Sequence, residues 1–406
     1  MAAGSILGLA ARSRAFVAPA HPPPRRHRSG RIARRHRAPL RHRGGTVADQ
    51  SGPVTARESV AVIVPAYNAA ATIGAAVASA LAEPEVSEVV VVDDASQDPT
   101  SEAAAAADDG TGRLAIHRLA ENGGPARARN VALERSGAPI VAILDSDDRI
   151  IRGRFRRLLA MPHWDLIGDN MVFVSSEVAA EEAAARYGAS PPRPVLTGLD
   201  LATFARGNVP RQGHRRREMG FIHPLMRRDF LDRHAIRYNE AMRLGEDFEL
   251  YARALLCDAR FVLCAAPGYI AVERPDSLSA RHRVTDLEAF LACHDRLERM
   301  RPLTRAEADA LALHRRSVAG RYALRRVLAD KSDKGVAAAA AWLAMRPRSW
   351  SPVVAGIARD KLAALRSAPD AADTRPTTLF DIPAPDPVPA APRTARGDVR
   401  LAGGTQ

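Results

Sequence analysis

Cysteine is scarce in this sequence. Three cysteines occur in 406 residues, at positions 257, 264 and 293, and no pair of them has CxxC spacing. An odd number of widely spaced cysteines excludes a disulfide framework and a structural zinc site of the usual kind. We therefore expect reduced cysteines that act as small apolar residues in a cytoplasmic protein.

Long apolar runs are also missing. No uninterrupted stretch approaches the ~20 apolar residues that a membrane helix needs. Near the start, the apolar patch 6–9 comes before the arginines, whereas a secretory signal has its basic residues first. We expect a cytoplasmic protein whose membrane contact, if present, is peripheral and at the inner face of the plasma membrane.

Lysine is almost absent, with three residues at 331, 334 and 361, so nearly all positive charge is arginine. The net charge of +13 is concentrated at the start, because residues 1–59 contain twelve arginines and only two acidic residues. This arm could bind nucleic acid, and that remains an alternative function. Aromatic residues make up only 5% of the chain, which disfavours an ordered nucleic-acid surface. We expect no nucleic-acid partner.

Composition divides the chain into four parts. Residues 1–58 are rich in Arg, Pro and Gly, which predicts a disordered arm, and 369–406 are rich in Pro and Ala, which predicts a disordered tail. Between them we predict a catalytic domain over 59–300 and a helical extension over 301–368.

Short apolar runs alternate with helical patterns over the first ninety residues of the predicted domain. This alternation predicts an α/β fold with a parallel sheet. The predicted strands are 60–65, 88–92, 113–118 and 139–144, and the predicted helices between them are 70–81, 99–107 and 126–135.

The second half of the predicted domain is less regular. We predict strands at 165–174, 260–265 and 269–272, a mobile polar segment at 177–194, a basic loop at 211–217, and helices at 246–256, 286–300, 305–328 and 334–345.

Polar residues cluster where the predicted strands end. They include Tyr67, Asp93-Asp94 and the run from Asp145 to Asp148, and ligands of open α/β sheets bind at the carboxyl ends of strands. The first strand is followed by PAYNAAATIG, which has no glycine-rich turn. This disfavours a dinucleotide-binding dehydrogenase and also a sugar nucleotidyltransferase, which we keep as a second alternative.

The acidic run has the residue types of a cation site. Asp145, Asp147 and Asp148 directly follow an apolar strand, and their oxygens suit Mn²⁺ or Mg²⁺. Such a cation would neutralise charge on a leaving diphosphate. A solvated acidic turn or a helix cap is the alternative.

Two further segments have a functional and a structural interpretation. Glu246-Asp247 follows Gly245 at a predicted helix start, so it could supply a general base or simply cap the helix. The loop 273–283 contains Arg281 among hydroxyl residues, which suits diphosphate oxygens as well as a solvated loop.

Taken in order, these segments resemble family 2 of the inverting glycosyltransferases, which have the GT-A fold, a Rossmann-like nucleotide-diphospho-sugar transferase fold. VAVIVPAYN resembles the family's opening strand, VVVVDDASQDPT its nucleotide-binding segment and VAILDSDD its metal motif. NGGPARARN and LGEDFELYAR are similar to two further family segments, the second of which carries the catalytic base. Ala95 stands where the family usually has glycine.

The resemblance implies a role for each matching residue. Asp247 would be the catalytic base. The nucleotide sugar would be bound by Pro65, Tyr67, Asp94, Arg129, Asp145 and Arg281. The metal would be bound by Asp147 and Asp148.

A narrower resemblance comes from the segment GFIHPLMRRDFLDRHAIRYNEAMRLGEDFELYARAL with GYIAVERPDSLSARH. Both are similar to bacterial exopolysaccharide glucosyltransferases of the succinoglycan type. This implies UDP-glucose as donor and a polyprenyl-diphosphate-linked oligosaccharide as acceptor.

Overall fold

A computed structural model describes residues 58–189, 195–210, 218–273, 283–365 and 376–380. These residues belong to one compact unit, residues 53–406. The arm and Arg281 lie outside the described residues, as do the basic loop 211–217 and most of the predicted tail. The boundary at residue 300 stays a prediction.

The first half of the unit alternates strands and helices as predicted. The strands are β1 (Val60–Ala66), β2 (Val86–Asp93), β3 (Leu114–Arg118) and β4 (Ile140–Ile143), and the helices are α1 (Ile73–Leu81), α2 (Thr100–Ala105) and α3 (Pro125–Arg135). The four strands pair in parallel. Every residue of β1 and β4 is buried, because both faces of this part of the sheet are covered by other elements.

The second half turns the sheet into a mixed one. Its strands are β5 (Arg149–Ile150), β6 (Leu166–Val174), β7 (Leu196–Leu199), β8 (Leu225–Arg227), β9 (Phe261–Val272) and β10 (Thr377–Thr378). β8 lies antiparallel between β4 and β6. The order across the sheet is β3-β2-β1-β4-β8-β6-β9-β5, with β10 paired to β6 and β7 to β9.

The remaining helices pack on the sheet or on one another. They are α4 (Arg154–Leu159), α5 (Glu177–Ala189), α6 (Leu201–Gly207), α7 (Arg228–Arg233), α8 (Glu246–Leu256), α9 (Val284–Met300), α10 (Arg305–Lys334), α11 (Val336–Ala344) and α12 (Trp350–Leu365). Among the described residues, none of these helices combines the length and the apolar character that a bilayer crossing requires.

Three predictions need correction. Residues 177–189, predicted as a mobile segment, form α5, because Ala180 and Ala183 are buried in a small cluster with Val172 and Ile270. The two strands predicted between 260 and 272 are the single strand β9. Within the predicted tail, residues 376–380 are ordered, since β10 pairs with β6 and Leu379 is buried.

A buried ion pair lies beneath the junction of β6, β9 and α4. Arg154 Nη2 is 2.9 Å from Asp169 Oδ1, and the two side chains are 0% and 3% exposed. The Arg154 guanidinium also donates to the carbonyl of His223. A Cβ on Gly268 would lie 1.6 Å from Asp169 Oδ2, so glycine is required for β9 to pass this pair.

We predict that Arg154→Leu lowers the free energy of unfolding by about 3–5 kcal/mol, because it leaves the Asp169 carboxylate buried without its counter-ion. Urea unfolding followed by circular dichroism measures the loss. Arg233→Ala is the matched control, since both side chains of the Arg233–Asp229 pair are exposed and such a pair contributes little. An Arg154→Leu variant that unfolds at the wild-type urea concentration would refute this assignment.

Candidate active site

A cleft of about 2680 Å³ opens at the carboxyl ends of β1, β2 and β4. All eight of the described residues with predicted roles line it: Pro65, Tyr67, Asp94, Arg129, Asp145, Asp147, Asp148 and Asp247. The structure therefore brings into one cleft residues that are up to 182 positions apart in the sequence, as expected for side chains at the ends of neighbouring strands. Arg281 lies outside the described residues.

Asp94 organises the loop that enters α3. Its two carboxylate oxygens accept hydrogen bonds from the backbone N–H groups of Gly123 and Gly124, both at 2.7 Å. Gly124 has φ +88°, a conformation that favours glycine. Ala95 has φ +59°, which gives a physical reason for the glycine usual at this position in the resembling family. Asp94 thus fixes one edge of the cleft.

Asp93, beside Asp94, has a purely internal set of partners. Its carboxylate accepts from Ser101 Oγ at 2.6 Å, from the Ser96 N–H at 2.8 Å and from Arg118 at 2.9 Å. Burial opposes ionisation of this group, but these hydrogen bonds and Arg118 hold the pKa of Asp93 below its ordinary value. Asp93 therefore anchors the end of β2, and it is Asp94 that lines the cleft.

Arg129 connects the two halves of the site. From α3, its guanidinium is 3.1 Å from Asp145 at the end of β4, and 2.7 Å from Glu246 and 3.5 Å from Asp247 at the start of α8. Its side chain is only 4% exposed, and the face of Tyr238 lies 5.2 Å away. Burial disfavours the charged guanidinium, but the carboxylates, Asp247 foremost, hold the pKa of Arg129 well above its ordinary value. The cation stays charged and holds the acids together.

Asp148 is a buried member of the predicted metal motif, and its carboxylate is held by hydrogen bonds. Its oxygens accept from the Tyr269 hydroxyl at 2.9 Å and from the Val272 N–H at 3.0 Å. The same hydroxyl accepts the N–H of Asp145 at 3.1 Å, which fixes the turn after β4. Burial, with the charges of Asp147 and Asp145, raises the pKa of Asp148 well above its ordinary value. A cation beside it would reverse this effect.

His223 joins this acidic group, and the sequence did not single it out. One ligand atom each from Asp145, Asp148 and His223 lies within 4.8 Å of the others, and His223 Nε2 is 3.5 Å from Asp145 Oδ2. Burial would raise the pKa of Asp145, but His223 and then Arg129 hold it far below its ordinary value. Asp147 lines the cleft beside this group but is not one of its three members.

The start of α8 places Asp247 in the cleft. Gly245 precedes the helix with φ +74°, and a Cβ there would meet the Phe290 ring at 2.5 Å. Glu246 and Asp247 both lie in the first turn of α8, where the helix dipole favours negative charge. Asp247 Oδ1 is buried without a direct hydrogen-bond partner among the described residues, and the Tyr238 side chain lies beside this carboxylate. The Asp247 side chain as a whole is 16% exposed, and it lines the cleft.

Tyr67 and Pro65 complete the rim near the first strand. Tyr67 is 39% exposed, so its ring is available at the mouth of the cleft. The adjacent Asn68 has φ +51°, and its N–H and side chain bond to Ser96 and to the Gln97 N–H. These bonds hold the β1 and β2 ends together and fix the position of Tyr67.

Comparison with known proteins agrees with this geometry. Residues 61–187 match the model of glycosyl transferase family 2. The chain is 45% identical over 302 residues to succinoglycan biosynthesis protein ExoU of Rhizobium meliloti (strain 1021), covering 74% of this chain and 87% of that protein. It is also 35% identical to succinoglycan biosynthesis protein ExoO of the same strain, covering 58% of this chain and 67% of that protein.

Among solved structures, S. aureus TarS 1-349 in complex with UDP-GlcNAc is similar at 21% identity and a TM-score of 0.48, covering 68% of this chain and 74% of that chain. The family match and the extended identity to ExoU carry the assignment. The α/β architecture predicted from the sequence is confirmed, and this chain belongs to glycosyl transferase family 2, with its GT-A fold.

Proposed function

We propose that this protein transfers glucose from UDP-glucose, with inversion, to a hydroxyl group of a polyprenyl-diphosphate-linked oligosaccharide in exopolysaccharide biosynthesis. The observation that carries this proposal is that Asp247, whose side chain is 16% exposed, lines the same cleft as the Asp145–Asp148–His223 group. Glycosyl transfer needs a base for the attacking hydroxyl and stabilisation of the departing diphosphate. One cleft offers residues for both.

The reaction is a single displacement at the anomeric carbon. Asp247 takes the proton of the acceptor hydroxyl while its oxygen bonds to that carbon, and the bond from the carbon to the nucleoside diphosphate breaks. The attack comes from the face opposite the leaving group, so an α-linked donor gives a β-linked product. Arg129, 3.5 Å from Asp247 Oδ2, fixes the orientation of this carboxylate.

The donor lies along the strand ends. Asp145 binds the ribose and Tyr67 lies beside the base, with Pro65 at the same rim. Asp94 accepts two backbone N–H groups already, and because each carboxylate oxygen can accept twice, it still has capacity for a base N–H. Arg129, which is almost fully buried, acts by positioning Asp145 next to the nucleotide. Arg281 is proposed for the diphosphate on its sequence alone.

The site suits a divalent cation. Two carboxylates and an imidazole offer oxygen and nitrogen donors within 4.8 Å of one another, a set that fits Mn²⁺ and also accepts Mg²⁺. Asp147 and Asp148 are the ligands implied by the sequence, and the geometry adds Asp145 and His223. When bound, the cation would neutralise charge that develops on the diphosphate.

The acceptor and the pathway are proposed from the relatives. Two proteins whose names state a role in succinoglycan biosynthesis match this chain at 45% and 35% identity. Their shared role supports an exopolysaccharide product, and the resemblance of the segment around α8 supports glucose and a lipid-linked acceptor.

Peripheral membrane contact is supported by residues 331–354. Val336, Met345, Trp350 and Val354 are all more than half exposed. Four basic residues and one acidic residue occur at positions 331–350. Apolar and cationic side chains together favour the surface of an anionic membrane. The basic loop 211–217 lies outside the described residues.

We predict that Asp247→Asn lowers kcat by about 10²–10⁴-fold, because the amide cannot accept the acceptor's proton. UDP affinity, measured by calorimetry, should stay within about twofold, since Asp247 is assigned to the acceptor side. Glu249→Gln is the matched control, because Glu249 is a buried acid of the same helix that pairs with Arg253 and is absent from the cleft lining. Near-normal turnover in Asp247→Asn would show that the base lies elsewhere.

We predict that EDTA abolishes UDP release from UDP-glucose and that Mn²⁺ or Mg²⁺ restores it. His223→Ala and Asp148→Asn should each weaken Mn²⁺ binding, followed by electron paramagnetic resonance, by about 10–100-fold. His234→Ala, an exposed histidine, should leave Mn²⁺ affinity unchanged. Full activity after chelation would contradict the cation site, and a loss in Asp147→Asn without one in His223→Ala would restore the ligand set implied by the sequence.

We predict that the full chain floats with vesicles that contain anionic phosphatidylglycerol and not with neutral vesicles, and that salt weakens this association. Replacing Met345, Trp350 and Val354 by serine should reduce flotation. Val178→Ser, an exposed apolar residue of α5, should not. Equal absence of the wild type from both vesicle types at low salt would contradict membrane contact.

A further inference from the structure

The C-terminal helices form one wall of the cleft. α10 contributes His314, Arg316, Ser317, Gly320, Arg321, Leu324 and Arg325, and α12 contributes Pro352, Ala355, Gly356 and Ala358. The two helices meet closely, since a Cβ on Gly320 would lie 3.0 Å from the Pro352 Cβ. This wall lies outside residues 61–187, which match the family model. The cleft therefore has a wall beyond the segment that matches the family model.

Three arginines of α10 face this cleft without an ionic partner. Among the described residues, no carboxylate lies within 4 Å of Arg316, Arg321 or Arg325. Arg315 and Arg326, next to them in sequence, do have partners: Arg315 is 2.6 Å from Asp295, and Arg326 is 2.8 Å from Asp330. Arginines of the same helix thus differ: those that line the cleft have no ion pair, and those outside it do. The arginine-rich composition alone does not explain this difference.

The helix geometry explains the contrast. At about 100° per residue, the cleft-lining positions 316–325 occupy about one half of the circumference of α10, and Arg315 and Arg326 fall on the other half. Arg321 lies within the lining half, and Arg316 and Arg325 lie at its two edges. The long guanidinium side chains can therefore converge on one ligand from both sides.

The electrostatics of this wall favour an anion. Arg321 is half-buried, and burial lowers its pKa, an effect that Glu218 opposes and Arg325 reinforces. Arg325 is exposed but lies close enough for its charge to repel that of the half-buried Arg321, and Arg316 is likewise exposed. A phosphate would relieve this repulsion and accept paired N–H bonds from each arginine. A neutral sugar would do neither.

We propose that Arg316, Arg321 and Arg325 bind the diphosphate of a lipid-linked acceptor. The proposal rests on the function proposed above and names the acceptor feature that the site selects. The donor diphosphate belongs with the acidic group at the strand ends, to which α10 contributes no member. The helices that follow α10 expose the apolar residues of 336–354, so a lipid chain that leaves the cleft along this wall has an apolar surface to follow.

The test uses farnesyl diphosphate as probe, with the full chain saturated by UDP and Mn²⁺ so that the donor site is filled. We expect calorimetry to show binding by the wild type, at least about tenfold weaker binding by Arg321→Gln, and a larger loss in the triple Arg316→Gln/Arg321→Gln/Arg325→Gln variant. Arg315→Gln/Arg326→Gln, on the other half of the same helix, should bind as the wild type does. Farnesol, which lacks the diphosphate, should bind all variants equally weakly.

Unchanged farnesyl diphosphate affinity in the triple variant would overturn the proposal. So would weaker UDP binding in that variant, because the arginines would then belong to the donor. Far-ultraviolet circular dichroism shows whether the triple variant is folded, and the single Arg321→Gln variant tests the proposal if it is not. Failure of the proposed function gives a different result. The wild type would then not release UDP from any UDP-sugar, whatever its affinity for farnesyl diphosphate.

Discussion

The site depends on one buried cation. Arg129 bonds to Asp145 from the end of β4 and to Glu246 at the start of α8, two elements about a hundred residues apart in sequence. The carboxylates of Asp145, Glu246 and Asp247 could not all stay ionised in this buried setting without a counter-ion. Burial and the neighbouring Asp247 raise the pKa of Glu246, while Arg129 lowers it. Removing this guanidinium would therefore separate the proposed nucleotide side of the cleft, at Asp145, from the side that carries the proposed base.

A buried ion pair and a buried tyrosine hold the backbone and side chains around this site. The buried Arg154–Asp169 pair joins α4 to β6, and Arg154 also holds the backbone of His223. Tyr269 of β9 bonds to Asp148 and to the backbone of Asp145. Asp145 and Asp148 are thus each held by Tyr269, which fixes their positions before any ligand arrives. Such preorganisation is what electrostatic stabilisation of a leaving group requires.

The sequence predicted the elements whose signal is local. β1 to β4 are apolar runs, and the apolar residues of α8 repeat with the period of a helix after a glycine. The sequence therefore predicts all five elements with small errors in their boundaries. α5 was missed although its residues are good helix formers, because its polar surface dominates the pattern and its few buried alanines give little period. β8 has only three residues, too few for any period to show. His223 was missed because only tertiary structure brings it to Asp145.

The account makes a spatial claim: nucleotide, cation and base occupy one cleft around Arg129. A crystal structure with UDP and Mn²⁺, recorded at a wavelength where manganese scatters anomalously, tests it most directly. The account predicts one anomalous peak beside Asp145, Asp148 and His223, with UDP bound in the same cleft that Asp247 lines. A manganese peak or a UDP molecule bound away from Asp145 and Asp148 would contradict it.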